Sequence, residues 1–462
     1  MMFSSDGFDG DALLSLLVAA CGLGILLLVG LLLRTLVPAL KRYFIPAALL
    51  GGAVGLGLGP HALGLVPAGM HTTWSSFAGV LITIVFAPML LGQNLPGFRE
   101  AAKEAGPHVF YGYFSTFAVV GVPALLTYLV LQPLMGTNPL FSTIFEVSWP
   151  GGHGTAAGME ESYSSLGWED GSSLSLSSAT VGLLFGIIAG MVILNLAARR
   201  GLLTSAAAQG PSTGSDILPP AEASTDSTNR LRRGSLDNLA FHVSLIGVAV
   251  LIGVLLKWGV DQLLTGIPLF PLAMLGGLLV QLIVSRTPAY ALVDKPTLNS
   301  IAGIALDFLV VAAVATISLP VIFANWLPLL IATVVVAVIS VGIFCWIGPR
   351  IFPQHWVENS IVNFGAMTGV TSVGLLLLRA ADPEMKTNAF RGFALRAPFA
   401  SPFVGGGLVT ALFPVLVMNI GNLWLGLACL ALCLVMIGAA KATGIWRKPA
   451  AARPEAGAGA PA

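Results

Sequence analysis

Charge is what this sequence has least of: Asp, Glu, Lys and Arg make up 9% of its 462 residues, against about a quarter in a soluble domain. That scarcity excludes a water-soluble globule. With 56% hydrophobic residues and a mean hydropathy of +0.89, the chain reads as an integral membrane protein. A net charge of +1, with no basic patch interleaved with aromatics, excludes nucleic-acid binding. Cysteine is scarce too. Cys21, Cys345, Cys429 and Cys433 all fall in apolar runs, with no CxxC and no His at metal spacing, and so read as packing or lipid-facing thiols. The absence of HExxH and GxSxG leaves an intramembrane enzyme without a catalytic constellation. No Lys or Arg precedes the first apolar run, after MMFSSDGFDGD, which argues against a cleaved signal peptide.

What is present is a series of runs long enough to cross a bilayer, which takes roughly 20 apolar residues. Eleven stand out, at 12–33, 43–59, 76–95, 108–132, 174–197, 236–257, 268–285, 300–320, 324–348, 399–418 and 421–440. Residues 199–235, rich in Ser, Thr, Ala and Pro, read as a flexible linker, and 447–462 as a disordered tail. With the N-terminus outside, every Lys and Arg except Lys257 falls on the cytoplasmic side, which also places the linker and the C-terminus there.

The second runs of the two halves repeat one another. IPAALLGGAVG at 45–55 and FPLAMLGGLLV at 270–280 match at Pro46 and Pro271, Ala48 and Ala273, and Gly51–Gly52 and Gly276–Gly277, at a single offset of 225. The same offset carries 12–33 onto 237–258 and 76–95 onto 301–320. Two units of five spans each, an odd number, must lie in opposite orientations, as in secondary transporters with binding sites at broken helices near the midplane. The expected fold is all-α: an inverted repeat of two five-span units (1–198 and 236–420), each with a re-entrant hairpin, and one extra C-terminal span (421–446). The Gly-Gly pairs have a simpler role available, close packing of membrane helices.

The hairpins are expected at about 139–163 and 357–379, where SWPGGHGTAAGMEES and ENSIVNFGAMTGVTSVGLLLL interrupt the apolar pattern. Irregular backbone at membrane depth is tolerated only inside protein or along a cavity. Pro150, Gly151, Gly152 and Gly154 free carbonyls for a hard cation and N–H groups for a carboxylate, and a half-helix starting near Thr155 turns its positive end to the site. Asn363, Gly365, Thr368, Gly369, Thr371 and Ser372 offer the same kinds of group from the second hairpin.

GGHGTAAG, GAMTGVTSVG and KRYFIPAALLGG together resemble the bacterial sodium/glutamate symporter family, over Leu13 to about Met418. The resemblance implies a multi-pass protein of the bacterial inner membrane, a homodimer, that couples glutamate uptake to sodium by alternating access. It implies no enzyme and no cofactor beyond sodium as the coupling ion. The last span is an addition to the family's ten-span plan, and the second hairpin lacks a His-Cys-Gly-Phe-Gly run. Another amino acid or organic anion as cargo, and a passive anion channel, are the alternative readings.

Further polar residues lie in or near the apolar runs. Asp307, in IAGIALDFLVVAAVATISL, is a candidate sodium ligand or partner of a substrate ammonium, with a structural hydrogen-bond role as the alternative. Ser148, Glu146, Gln93 and Asn94 are candidates to line the pathway or else are interfacial. His153 suits either a proton carrier or a neutral hydrogen-bonding group. Glu160 and Glu161 are expected to face outside water. Topology accounts for Arg391 and Arg396, binding of a substrate carboxylate being the other reading.

Overall fold

The computed structural model describes residues 9–42, 45–92, 98–204, 237–383 and 386–447, without the side chains of 41, 42 and 98–103. Gln93, Asn94, most of the linker and nearly all of the tail lie outside these residues. The described chain is helical, with no strand among the described residues.

The first half comprises α1 (Gly10–Leu36), α2 (Ala47–Leu58), α3 (Ala68–Phe86) and α4 (Phe98–Leu126). A π-helical turn, Thr127–Leu131, and a last turn to Met135 extend α4. Two short helices follow, α5 (Ile144–Ser148) and α6 (Gly152–Gly158), then α7 (Gly171–Arg199). The second half holds α8 (Asn238–Val260), α9 (Leu269–Val284), α10 (Lys295–Ala315), α11 (Trp326–Trp346), α12 (Trp356–Ala381), α13 (Ala389–Ala400) and α14 (Leu408–Ala442).

Among the described residues, nine helices are long and apolar enough to cross a membrane, where the sequence suggested eleven runs. The difference has local causes. α2 and α9 have 12 and 16 residues, short of a full crossing. The runs expected at 399–418 and 421–440 fall largely on α14, in which two helical stretches meet at a kink at Gly421 (φ 78°, ψ 161°). The tenth run does not begin at 399: residues 401–407 leave helical geometry between α13 and α14, with Gly405 and Gly406 at φ +69° and +105°. Only glycine takes such angles at low cost, so this is a built break rather than a frayed end.

α12 is long enough to span but does not run straight. Gly369 (φ −150°, ψ 37°) and Val370 (φ 65°, ψ 171°) break it, and a Cβ on Gly365 would lie 2.7 Å from the Cα of Gly374. Nine residues of straight helix would separate those positions by about 13 Å, so the two arms fold back on each other. Val362 and Leu378 share a core cluster across them.

The glycine pairs act as the packing alternative supposes. A Cβ on Gly51 would strike Leu26 O of α1, and one on Gly52 would strike Val314 of α10. In the second half, a Cβ on Gly276 would strike Ala249 O of α8, and one on Gly277 would strike Ala87 O, at the end of α3. Each pair thus seats its helix on the preceding helix of its own half and on the third helix of the other half. α1, α2, α3, α8, α9 and α10 form one interlocked group. α4, α7, α11, α12, α13 and α14 form a second. Lys257, the exception in the charge pattern, lies at the end of α8 between Asp261 (3.1 Å) and Glu161 (3.3 Å).

Candidate functional site

α5 and α6 are joined by Trp149–Gly151, a turn that the sequence favours because Pro150 lacks an N–H and Gly152 takes φ +68°. α6 starts at Gly152, three residues ahead of the start expected near Thr155. Thr155 donates from its hydroxyl back to Gly151 O (3.0 Å), closing the turn. Ser148 Oγ and Trp149 Nε1 both donate to Ser178 Oγ of α7, at 2.9 and 3.2 Å, which fixes the arm before the turn. His153 Nε2 meets Thr180 Oγ1, also of α7, at 2.9 Å.

The break in α12 comes to the same place. A Cβ on Gly152 would collide with Val370, so the two turns touch. α7 backs both of them: a Cβ on Gly182 would sit 2.7 Å from Trp149 on one side and 2.7 Å from Thr368 O on the other. Gly186 and Gly190 continue this stripe against Thr368 and Leu377. Small residues on α7 therefore let it hold two irregular turns at once. The third irregular segment, 401–407, arrives from the opposite side. Gly405 lies against Pro150, and a Cβ on Gly406 would strike the Thr155 hydroxyl.

The structure thus brings together Ser148, Gly151, Gly152, His153, Thr155, Thr368 and Gly369. Gly154 lies on the outer side of α6, where a Cβ would meet Ile82 of α3 (3.1 Å) and Leu306 of α10 (3.5 Å). Gly365 is a packing glycine between the arms of α12. Thr371 and Ser372, just past the break, are exposed. Asn363 lies two turns below the break, where its Oδ1 accepts from Arg396 Nη1 (2.6 Å). Its Nδ2 meets His108 Nδ1 and Asn359 O, both at 2.7 Å. Asp307 is not part of this assembly. It lies on the exposed side of α10 and makes no hydrogen bond or ion pair with a described residue.

Glu146, one turn before Pro150, is fully buried and central. Its Oε1 accepts from Thr116 Oγ1 (3.2 Å), Thr410 Oγ1 (3.1 Å) and Gly405 N (3.1 Å). Sequence reasoning missed Thr116, His108, Thr410 and the 401–407 break. The break did have a signal, Pro398, Pro402 and three glycines at 405–407, the same vocabulary as PGGHG. The two arginines of α13 also part company. Arg391 Nε lies 2.9 Å from Glu104 Oε2, an exposed pair, whereas Arg396 points at Asn363 and over the Phe393 ring (4.7 Å), with no acidic partner among the described residues.

Glu160 is half-buried and accepts from Ser75 Oγ (2.9 Å), at one end of a largely apolar cavity of about 720 Å³ between α3, α8 and α9. Glu161 lines it too and pairs with Lys257. Among the described residues no three His, Cys, Asp or Glu gather into a metal-holding group.

A family model described as sodium/glutamate symporter matches residues 11–352, which takes in α1 through α11 and the turn at Pro150, and ends just before α12. A comparison with curated proteins returns no match.

Proposed function

The chain belongs to the sodium/glutamate symporter family, and from that premise we propose that it carries glutamate into the cell, driven by sodium, by alternating access. The observation that carries this reading is the meeting of two hairpin turns, Gly152 against Val370, with a third break at Gly405 beside them. Three irregular segments converging inside a helical membrane protein leave backbone polar groups free for a ligand, and protein surrounds them so that lipid does not penalise them.

In this reading the segments at about 139–163 and 357–379 are re-entrant hairpins of two inverted five-span units. The matched seating of Gly51–Gly52 and Gly276–Gly277 supports the repeat. The N-terminus is outside, the linker and C-terminus are in the cytoplasm, and the membrane is the bacterial inner membrane. The interlocked group of α1, α2, α3, α8, α9 and α10 is the scaffold, paired with a second copy in a homodimer. The other group carries the site. Substrate lies among Ser148, Gly151, Gly152, Thr155, Thr368, Gly369, Thr371 and Ser372, with His153 and Asn363 in support. Arg396 is the cation that meets a substrate carboxylate on the way in, because Arg391 is already engaged.

The test is uptake of labelled glutamate, aspartate and other organic anions into proteoliposomes, with and without an inward sodium gradient. Glutamate uptake that ignores the gradient defeats symport and favours a channel. Sodium-driven uptake of another anion instead keeps the mechanism and changes the cargo.

A further inference from the structure

The coupling ion needs a place, and the sequence had pointed to Asp307. The structure offers a different carboxylate. Glu146 is completely buried, and all three donors it receives converge on Oε1. Its Oε2 is buried too and has no hydrogen-bond partner among the described residues. No Lys or Arg of the described residues pairs with it. A buried carboxylate left in that state is costly unless something neutralises it.

Two neutralising agents differ in what they require. A proton on Oε2 would create an O–H donor that needs an acceptor of its own, at an oxygen that makes no hydrogen bond to a described residue. It would also give up the anionic charge that strengthens three hydrogen bonds to Oε1. A small hard cation requires oxygens with free lone pairs. Oε2 supplies one. The Thr116 hydroxyl, having turned its proton to Oε1, keeps both lone pairs for another. Thr410 takes an N–H from Gly406 (3.1 Å) and gives its proton to Oε1, which leaves one lone pair more. The C-terminal end of α13, at Ala400, opens into the same break, and such half-helix ends carry the negative pole of the helix dipole.

We propose that Glu146, Thr116 and Thr410 form the coupling sodium site, at the junction of the first hairpin and the 401–407 break. The proposal rests on the symporter reading and adds the ligands and a route for the coupling. The three groups belong to α5, α4 and the start of α14, so an ion among them ties the first hairpin to the broken segment. Gly405, which donates to Glu146, also packs on Pro150 at the turn itself. Sodium therefore fixes the turn against which substrate binds, and by reciprocity substrate raises sodium affinity by the same factor.

The experiment has two arms. In proteoliposomes, sodium activation of the unaltered protein is measured first; if it is absent, the symporter reading fails whatever Glu146 does. Given that activation, Glu146→Gln should raise the half-activating sodium concentration by about tenfold or more, the loss of one charged ligand, and Thr116→Val and Thr410→Val by smaller factors. In detergent without substrate, sodium chloride should raise the melting temperature of the unaltered protein relative to choline chloride, as binding to the native state requires. Glu146→Gln should melt normally in choline and lose the sodium-dependent rise. If Glu146→Gln does not fold, the two threonine variants give the same readout. Sodium activation and sodium-dependent melting both unchanged in the folded variants would overturn the proposal. So would a Glu146→Gln variant that keeps sodium activation and loses only the pH dependence of uptake, which would make Glu146 a proton site.

Discussion

The two hairpins are built alike and housed differently. The first is enclosed on every side: α6 lies between α3 and α10, and from Ile144 to Gly158 only Gly151 is less than buried. The second has one enclosed arm and one open shoulder. Residues 357–369 are buried, but Thr371 and Ser372, directly after the break, are exposed, and α12 packs on α7, α11, α13 and α4 rather than on the α3–α10 group. If the two are gates, as the proposed function has it, their unlike surroundings would define a conformation. The first hairpin is seated against the group we propose as the scaffold, and the second stands off it. With the proposed orientation and mechanism, such a state would be open to the cytoplasm. Closing the second hairpin would seat Thr371 and Ser372 as Gly154 and Gly158 are seated now.

The comparison breaks most readily where the two turns touch. Gly152→Val forces a β-branched residue into left-handed backbone and against Val370, and the strain alone, about 1–3 kcal/mol, should lower uptake about fivefold or more. Uptake at the normal rate would mean that the turns need not meet. A narrower effect is expected at α13. Arg396→Ala should raise the KM for glutamate by about tenfold, the worth of a charged hydrogen bond, while Arg391→Ala, which loses an exposed pair, should stay within about twofold. Equal effects would remove the distinction between the two arginines. Exposure itself can be read by labelling. In a variant lacking the four native cysteines, Thr371→Cys and Ser372→Cys should react with a membrane-impermeant maleimide in inside-out vesicles, and sodium with glutamate should slow them; Thr155→Cys should be protected throughout. Fast labelling at residue 155 would deny that the first hairpin is the closed one. The smallest effect is expected at Asp307. Its exposed, unpaired position predicts sodium activation within about twofold of normal in Asp307→Asn, as for other surface changes, and a large shift would restore it as an ion ligand.

Much of this arrangement was legible in the residues. Pro150 to Gly154 announced the first break because proline removes a donor and glycine tolerates the turn. The paired glycines at one offset announced a repeated seating. The second break fell inside 357–379 as expected, yet one of its two non-helical residues is Val370 at φ 65°, a residue that no local rule assigns to that geometry. The break at 401–407 was written in Pro402 and Gly405–Gly407, but the apolar residues on either side carried the hydropathy reading across it. Glu146 shows the limit most clearly. Its importance comes from Thr116, 30 residues before it, and from Gly405 and Thr410, some 260 residues after it, and neither hydropathy nor periodicity encodes such meetings. Asp307 shows the converse, for it lies on the exposed side of α10. A carboxylate in an apolar run is conspicuous, but whether its helix turns it toward the centre is decided by packing.

The exchange of partners between halves has a consequence for how the protein is made. Gly52 of α2 rests on α10, and Gly277 of α9 rests on the end of α3. A ribosome releases α2 and α3 long before α9 and α10 exist, so Gly52 of α2 and the Ala87 end of α3 enter the bilayer before the helices that pack on them have been made. The first half must wait, inserted and unfinished, as an assembly intermediate whose completion depends on the second. Birth order, which plays no part in the finished transporter, thus makes the N-terminal half the one most exposed to membrane quality control.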